Sequence, residues 1–503
     1  DQDENSYGEG RVEQLLRFIE HKYVDNVNID ELTEEAVKAA LYRLDPYSIY
    51  MSPEETKGIN EDMNGAYVGI GVENYFFNDT VQVSKVLPDS PAAKAGLKPF
   101  DKLISINGVA VAGQNLEYIA IKEMLSQRIG DKLELKVLRE GKPMTINIVV
   151  NEISLSTVQA HLLPDINAAY IKIKKFGAHT YKDFMEEVEV LFGDKNAQHL
   201  IMDLRDNPGG YLPEAINILC QIFEEKDKLL LYTEGRNNKR NEYKSTGKRF
   251  FNIQNVVVLI DENSASASEI IAGALQDWDR GIIVGRRSYG KGMVQEQYPL
   301  NNGGAIRLTV AKYFTPSGRC IQRDFKDREL FEREVDSRYR SGEMFFEDSL
   351  KKTTSEPFLT KILARPLYGE GGITPDVFIP MPAFLDDTEY FKIRYLIPEY
   401  VYHQLTTKNG IPKDFNGLKE WSIPTLYYED FVKYCEKYYK EKLNWPQISN
   451  YQSLFKDEIA RQYLSIDDHW KYMLQEDKTL VKALDVVKTN LKPADLVKTP
   501  KKK

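Results

Sequence analysis

Two short apolar runs, Asn255-Val-Val-Val-Leu-Ile260 and Gly281-Ile-Ile-Val-Gly285, constrain the fold of this chain more than any other feature. Runs this short, bounded by turn residues, fit central strands of a sheet covered on both faces. The first leads into Asp261-Glu-Asn-Ser-Ala-Ser-Ala-Ser268 and the second into Ser288-Tyr-Gly-Lys-Gly292, with helical spacing over residues 269–276 between them. The order strand, serine loop, helix, strand, lysine loop can return both loops to one edge of a parallel sheet, where such folds place their sites. Upstream, the strand-like Leu200-Ile-Met-Asp-Leu204 enters Asp203-Leu-Arg-Asp-Asn-Pro-Gly-Gly210, and helical spacing follows from Pro213.

A serine hydroxyl is a poor nucleophile until a base takes its proton, and the usual base is histidine. None of the six histidines (21, 161, 179, 199, 403 and 469) lies in or beside these motifs, so a lysine must serve if this is a serine hydrolase. An exposed lysine is neutral in only about one molecule in a few thousand at pH 7. Lowering its pKa by about three units disfavours the ammonium by roughly 4 kcal/mol and requires burial away from carboxylates. Lys291, between two glycines after an apolar strand, has a setting that permits this.

Other readings compete for the same residues. Ser266 and Glu269 have the Ser-x-x-Glu spacing of a capping box, so the serine can simply start the helix. That reading is compatible with catalysis, because a nucleophile there gains from the helix dipole. Gly285-Arg-Arg-Ser-Tyr-Gly-Lys-Gly292 comes within one residue of a phosphate-binding loop. It is followed by strand-like Met293 to Leu300 and an Asn-Asn-Gly-Gly turn where a phosphate loop needs a helix, so nucleotide binding is set aside. Ser288 to Lys291 and Ser453 to Lys456 spell Ser-x-x-Lys without the helix or companion motifs of the penicillin-binding signature. In Asp-Asn-Pro-Gly-Gly, paired glycines let backbone amides approach a substrate, so the N–H of Gly209 or Gly210, with that of Ala267, can form an oxyanion hole. The alternative is an ordinary strand-to-helix turn. Asp203 and Arg205 are expected to position this loop.

Ser-Ala-Ser-Ala-Ser-Glu-Ile, with Gly-Lys-Gly-Met-Val-Gln downstream and Asp-Leu-Arg-Asp-Asn-Pro-Gly-Gly upstream, resembles the core of the C-terminal processing peptidases, or tail-specific proteases. The resemblance implies Ser266 as nucleophile rather than Ser264 or Ser268, Lys291 as general base and Gln295 as the residue that orients the lysine. It implies no metal or cofactor, and an extracytoplasmic, typically periplasmic, location with a leader absent from this chain. Residues 66–151 are similar to a PDZ domain. There Tyr67-Val-Gly-Ile-Gly-Val72 (Tyr67, Val68, Gly69, Ile70, Gly71, Val72) resembles the loop that receives a peptide's terminal carboxylate while the peptide extends the sheet. A helix is expected from Asn115 to about Ser126. Ser126-Gln-Arg-Ile-Gly-Asp131 departs from the family's Arg-Gly at that place. The bland alternative is a PDZ-shaped spacer.

At 503 residues the chain accommodates several domains. The expected fold is multi-domain α+β: a helical region over 1–65, the PDZ domain over 66–151, a crotonase/Clp-like α/β serine protease core over 152–382 and a helical domain over 383–503. The phrase Leu44-Asp-Pro-Tyr-Ser-Ile-Tyr-Met-Ser-Pro53 also resembles the family's N-terminal region. By itself it reads as a helix stop and turn, and helical caps of this sort are compatible with a homo-oligomer. The charged stretch 326–352 reads as a solvated insertion or lid, while Gly372 to Pro380 matches the family's closing core segment. Tyr427, Tyr428, Phe431, Tyr434, Tyr438 and Tyr439 recur at helical spacing, a stripe that serves a core or subunit interface more often than a ligand. Lys501 to Lys503 reads as a disordered tail. A net charge of −9 argues against nucleic acid as a partner. No apolar run approaches the length that spans a bilayer. Three scattered cysteines define neither a disulfide framework nor a metal site. The function expected is a serine endopeptidase that cleaves C-terminal regions of proteins through a Ser-Lys dyad. The alternative is a PDZ-bearing scaffold or chaperone with a silent core, whose mark would be a missing serine, lysine or glutamine.

Overall fold

The computed structural model describes residues 9–77, 79–350, 356–369, 371–381, 396–407, 410–440, 442 and 451–497; the tail at 501–503 lies outside them. At its centre is a six-stranded sheet ordered Val158–Leu163, Ala168–Ile173, His199–Asp203, Val256–Ile260, Ile282–Gly285, Val377–Phe378. Only the first pair is antiparallel. Both apolar runs are central strands, buried at every residue.

Successive strand residues point to opposite faces, so a strand apolar throughout needs cover on both. On one face Val256, Val258, Ile260 and Ile283 pack against the helices Leu212–Ile222 and Ala267–Asp277. On the other, Val257, Leu259, Ile282 and Val284 meet Leu480, Ala483, Val486 and Val487 of the helix Lys478–Lys488. The last helix of the C-terminal region is therefore a layer of the central sheet.

The expected N-terminal helical region begins with the helices Glu9–Lys22 and Ile29–Tyr42. The phrase after them does more than stop a helix. Ile49–Met51 pairs antiparallel with Ala305–Phe314, joining a second sheet that also holds Met293–Pro299, Lys226–Glu234 and Asn241–Thr246. Ser52 then caps a new helix, Pro53–Asn64, with Glu55 completing the capping box.

Residues 72–149 form an antiparallel sheet ordered Val72–Phe77, Thr80–Val86, Lys102–Ile106, Lys132–Arg139, Lys142–Val149. Its helix spans Tyr118–Leu125. It begins three residues later than expected because Asn115 takes a left-handed conformation, its N–H held by the Asp79 carboxylate at 2.6 Å. Ala66–Gly69 pairs with Asn151–Ser154 where the chain enters and leaves this unit.

In the C-terminal region, Tyr427, Tyr428 and Phe431 are buried with Tyr400 and Phe455 in an aromatic core, while Tyr438 is exposed. This bundle grips the 72–149 sheet. The Tyr402 hydroxyl donates to the Val83 carbonyl at 2.6 Å, and its ring stacks on Phe100, centroids 5.3 Å apart. The charged insertion is solvated only in part: Glu329, Glu332, Arg333 and Arg340 are exposed, while another set of its residues turns inward. Phe331, Arg338, Tyr339, Glu343 and Met344 are buried, and Glu343 takes both Arg287 and Arg338 in ion pairs. Opposite charges that neutralise one another inside the fold give the same composition as a solvent-exposed segment.

Candidate active site

Three loops leave the C-terminal ends of adjacent parallel strands: residues 204–210 after His199–Asp203, 261–266 after Val256–Ile260, and 286–291 after Ile282–Gly285. The serine, lysine and glycine motifs thus share one sheet edge.

Asp203 and Arg205 anchor the glycine loop. The buried Asp203 carboxylate accepts from Arg205 Nη2 and the Tyr170 hydroxyl, both at 2.6 Å. Burial alone would raise its pKa, but Arg205, aided by Lys172, holds it well below the usual carboxylate range. Arg205 also pairs at 2.7 Å with Asp477, which caps the last helix. Asn207, fully buried, ties the glycine loop to the serine loop. Its carbonyl accepts the Ala265 N–H and the Ser268 hydroxyl, each at 3.0 Å.

The Asn207 side chain also accepts the Gly209 N–H at 2.8 Å. That bond removes Gly209 from the pair of glycine donors expected from sequence. Gly209 supplies clearance instead, since a Cβ there would lie 2.7 Å from Ser266 Cβ. The N–H groups of Gly210 and Ala267 have no hydrogen-bond acceptor within the chain among the described residues.

The three loop serines differ. Ser264 and Ser268 are fully buried, their hydroxyls donating to the carbonyls of Leu204 (2.8 Å) and Asn207 (3.0 Å). Ser266 alone keeps solvent access, and it sits at φ 55°, ψ −113°, a strained conformation for a residue with a side chain. The helix starts immediately after it.

Lys291 retains some solvent contact as a residue, yet burial lowers its pKa to about 8. Arg307 adds to the lowering, while Glu269 and Asp45 oppose it. Its Nζ lies 5.1 Å from the centroid of the Tyr47 ring. Among the described residues no hydrogen bond joins the Ser266 hydroxyl to this amine. Gln295 is not bonded to it either: its amide reaches Thr309 Oγ1 at 3.4 Å, and Thr309 donates to Asp45 at 3.1 Å. A bulge after Val294 sets Gln295 opposite Thr309 in the hairpin.

Sequence reasoning missed what holds the serine and lysine loops together. Glu269, read only as a helix cap, is fully buried and accepts the N–H groups of Ser266 (2.8 Å), Lys291 (2.9 Å) and Gly290 (2.7 Å), and the Ser288 hydroxyl. Burial raises its pKa, and these four donors oppose the rise. The Tyr313 hydroxyl donates to the Lys291 carbonyl at 2.7 Å and lies 3.3 Å from that of Ser266. A buried acid three residues into a serine helix is the one signal that could have marked Glu269. Tyr313, some 20 residues after the lysine, left none.

In the 72–149 sheet, Val72–Phe77 is an edge strand beside Tyr118–Leu125, with the rings of Phe76 and Tyr118 6.0 Å apart. The loop before it is pinned through carbonyls: Ile70 accepts from Ala92 N–H at 2.9 Å and Gly71 from Leu87 N–H at 3.0 Å. Gly71 has φ +82°, and a Cβ there would meet Ser90 Cβ at 2.3 Å. Tyr67 and Val68 belong to the short ladder with Asn151–Ser154, and the Tyr67 ring lies over Gly69. No helix among the described residues is long and apolar enough to cross a membrane.

Residues 167–327 match peptidase family S41, residues 66–150 a PDZ domain, and residues 1–56 the N-terminal domain of the activating protease CtpB. The carboxy-terminal processing protease CtpB of Bacillus subtilis (strain 168) is 35% identical over 320 residues, 62% of this chain and 65% of that protein. A carboxy-terminal-processing protease of Bartonella bacilliformis is 33% identical over 329 residues, 64% of this chain and 74% of that one. The chain thus spans just under two thirds of the first relative and about three quarters of the second. The solved photosystem II D1 C-terminal processing protease aligns over 62% of this chain and 84% of its own at 25% identity, with a TM-score of 0.35.

Proposed function

The chain belongs to the carboxy-terminal processing proteases of peptidase family S41, and from that premise we propose that it is a serine endopeptidase acting on C-terminal regions of other proteins through Ser266 and Lys291. The observation that carries this reading is the pairing of the one solvent-accessible loop serine with a lysine brought to about 8, their backbones bound to the same Glu269 oxygen. At pH 7 roughly one lysine in ten is then neutral, against one in a few thousand for an exposed lysine.

In this mechanism Lys291 Nζ takes the proton of Ser266 Oγ as that oxygen attacks the scissile carbonyl. The N–H groups of Gly210 and Ala267 receive the negative oxygen. The ammonium returns the proton to the leaving amine, and water then cleaves the acyl-enzyme by the same route. Because serine and lysine are not hydrogen-bonded here, the arrangement is read as a resting one that closes when substrate binds. Gln295 would leave Thr309 to orient the lysine in the closed state. The PDZ unit would receive the substrate's terminal carboxylate at Ile70 to Val72 and its backbone along the edge strand Val72–Phe77. A crotonase/Clp-like description of the core and an extracytoplasmic location complete the proposal.

The test is labelling of the purified protein with a serine-directed fluorophosphonate, with and without an apolar-tailed peptide. Labelling at Ser266 that is lost in Lys291→Ala is expected. Labelling that survives in Lys291→Ala removes the dyad.

A further inference from the structure

Lys291 is approached from the far end of the sequence. Residues 45–48 are folded into a tight turn by one carboxylate: Asp45 accepts the N–H groups of Tyr47 (2.8 Å) and Ser48 (2.9 Å) and the Ser48 hydroxyl (2.7 Å). The turn is fastened to the lysine hairpin, where Thr309 donates its hydroxyl to Asp45 at 3.1 Å and its N–H to Ser48 Oγ at 3.1 Å. Tyr47 is thereby aimed at the catalytic lysine.

A single side chain spans the two. Gln322 donates from Nε2 to the Tyr47 hydroxyl at 3.2 Å, and its Oε1 accepts the N–H of Gly292, the residue after the lysine, at 2.9 Å. Phe331 of the charged insertion meets the Tyr47 ring edge-on at 5.8 Å. The ring is fixed by its backbone, its hydroxyl and its edge, leaving a face to the Lys291 amine at 5.1 Å.

We propose that Tyr47 is a positioning residue for the general base: its ring walls the Lys291 amine off from water and makes a competent site depend on seating of the N-terminal segment. The proposal rests on the reading of Lys291 as base. Two effects of the ring oppose each other, since an aromatic face attracts an ammonium while exclusion of water disfavours one. Burial is the largest influence on this lysine, so exclusion prevails. The charges facing the amine come from other side chains: Arg307 on the hairpin, Glu269 on the serine helix and Asp45 on the turn. None of them is removed by a change at Tyr47.

The test follows Lys291 directly, by competitive acetylation of the full chain across pH read by mass spectrometry, beside peptide hydrolysis at the same pH values. Tyr47→Ala is expected to raise the acetylation midpoint of Lys291 by about one unit, because water gains access to the amine. The rising limb of hydrolysis should move with it, giving about tenfold loss near pH 7 that is recovered at alkaline pH. Tyr47→Phe, which keeps the ring and its backbone anchors but loses the bond from Gln322, should move the midpoint far less than Tyr47→Ala. If Tyr47→Ala does not fold, Tyr47→Leu should move the midpoint in the same direction by less. An unchanged midpoint in a folded variant, or equal loss of hydrolysis at every pH, overturns the assignment. A moved midpoint with an unmoved hydrolysis limb leaves Tyr47 covering the lysine and overturns the lysine as base, so the two failures are distinct.

Discussion

One oxygen of the Glu269 carboxylate accepts the N–H of Ser266 at 2.8 Å and the N–H of Lys291 at 2.9 Å. The two groups proposed to exchange a proton are thus fixed through their backbones by a third residue, fully buried, whose carboxylate bonds to backbone N–H groups and the Ser288 hydroxyl rather than to either reacting atom. Glutamine at this position keeps one acceptor and turns a donor toward donors. Glu269→Gln should therefore lower kcat by about ten- to a hundredfold, the scale at which misplaced catalytic groups act. KM for a C-terminally tagged peptide should change little, because the PDZ unit is untouched. Parent-like kcat in the folded variant would exclude the bridging role.

Lys291 sits at a cost to stability. A lysine brought from 10.5 to about 8 takes up fewer protons folded than unfolded between those values. Stability therefore rises with pH through that window, and below pH 8 the full penalty of the buried cation is present. Lys291→Met should be inactive yet more stable at pH 7 by about 1–3 kcal/mol. The advantage should shrink as pH climbs from 8 toward 10.5. Denaturant unfolding at pH 7 and pH 10 measures this, and a variant less stable than the parent at pH 7 contradicts the lowered pKa.

The two glycines of the 204–210 loop should differ under substitution. At Gly210, φ is +146° and a Cβ would stand 2.1 Å from the Phe176 carbonyl oxygen, backbone that cannot yield. Gly210→Ala should cost several kcal/mol, about 3 or more, as overpacking and strain combine. At Gly209 the obstruction includes Ser266 itself, so Gly209→Ala should displace the serine and abolish fluorophosphonate labelling. Thermal unfolding compared with labelling separates the outcomes, and equal loss of both in the two variants would erase the distinction.

How much of this was legible in sequence depended on how local the signal was. The runs at 256–260 and 282–285 announced central strands because an apolar residue at every position has no other economical use in so short a segment. The serine and lysine motifs lie within 30 residues of each other and could be read as one unit. What escaped came from distant segments or from ambiguous composition. Tyr47 precedes Lys291 by more than 240 residues, and no periodicity links them. Arg338 and Glu343 looked like solvent-facing charges, yet Arg338 donates to the carbonyls of Arg287 and Ser288, bracing the lysine loop from behind. Gln295 could be placed on a strand, but its facing was set by a bulge that sequence does not encode plainly.

Tyr402 joins two units that no motif or periodicity in the sequence connects. It lies on the helix Ile397–Thr407, almost wholly buried, bonded to the Val83 carbonyl and stacked on Phe100, with Tyr75 at 4.9 Å. Tyr402→Phe removes one buried hydrogen bond and should cost about 1–2 kcal/mol at that contact. Tyr402→Ala also removes the ring and leaves a cavity beside Phe100 and Tyr75, so local opening should become easier by about 3–5 kcal/mol. Hydrogen exchange should then accelerate in Thr80–Val86 and Ile397–Thr407. The strands Val256–Ile260 and Ile282–Gly285, covered by other helices, should keep their protection. Uniform acceleration throughout the chain would mean that the contact belongs to one cooperative core. Acceleration confined to those two segments would identify Tyr402 as the pin that seats the peptide-docking unit on the helical bundle, and turnover of a tagged protein relative to a short untagged peptide would then report whether that seating matters for substrate delivery.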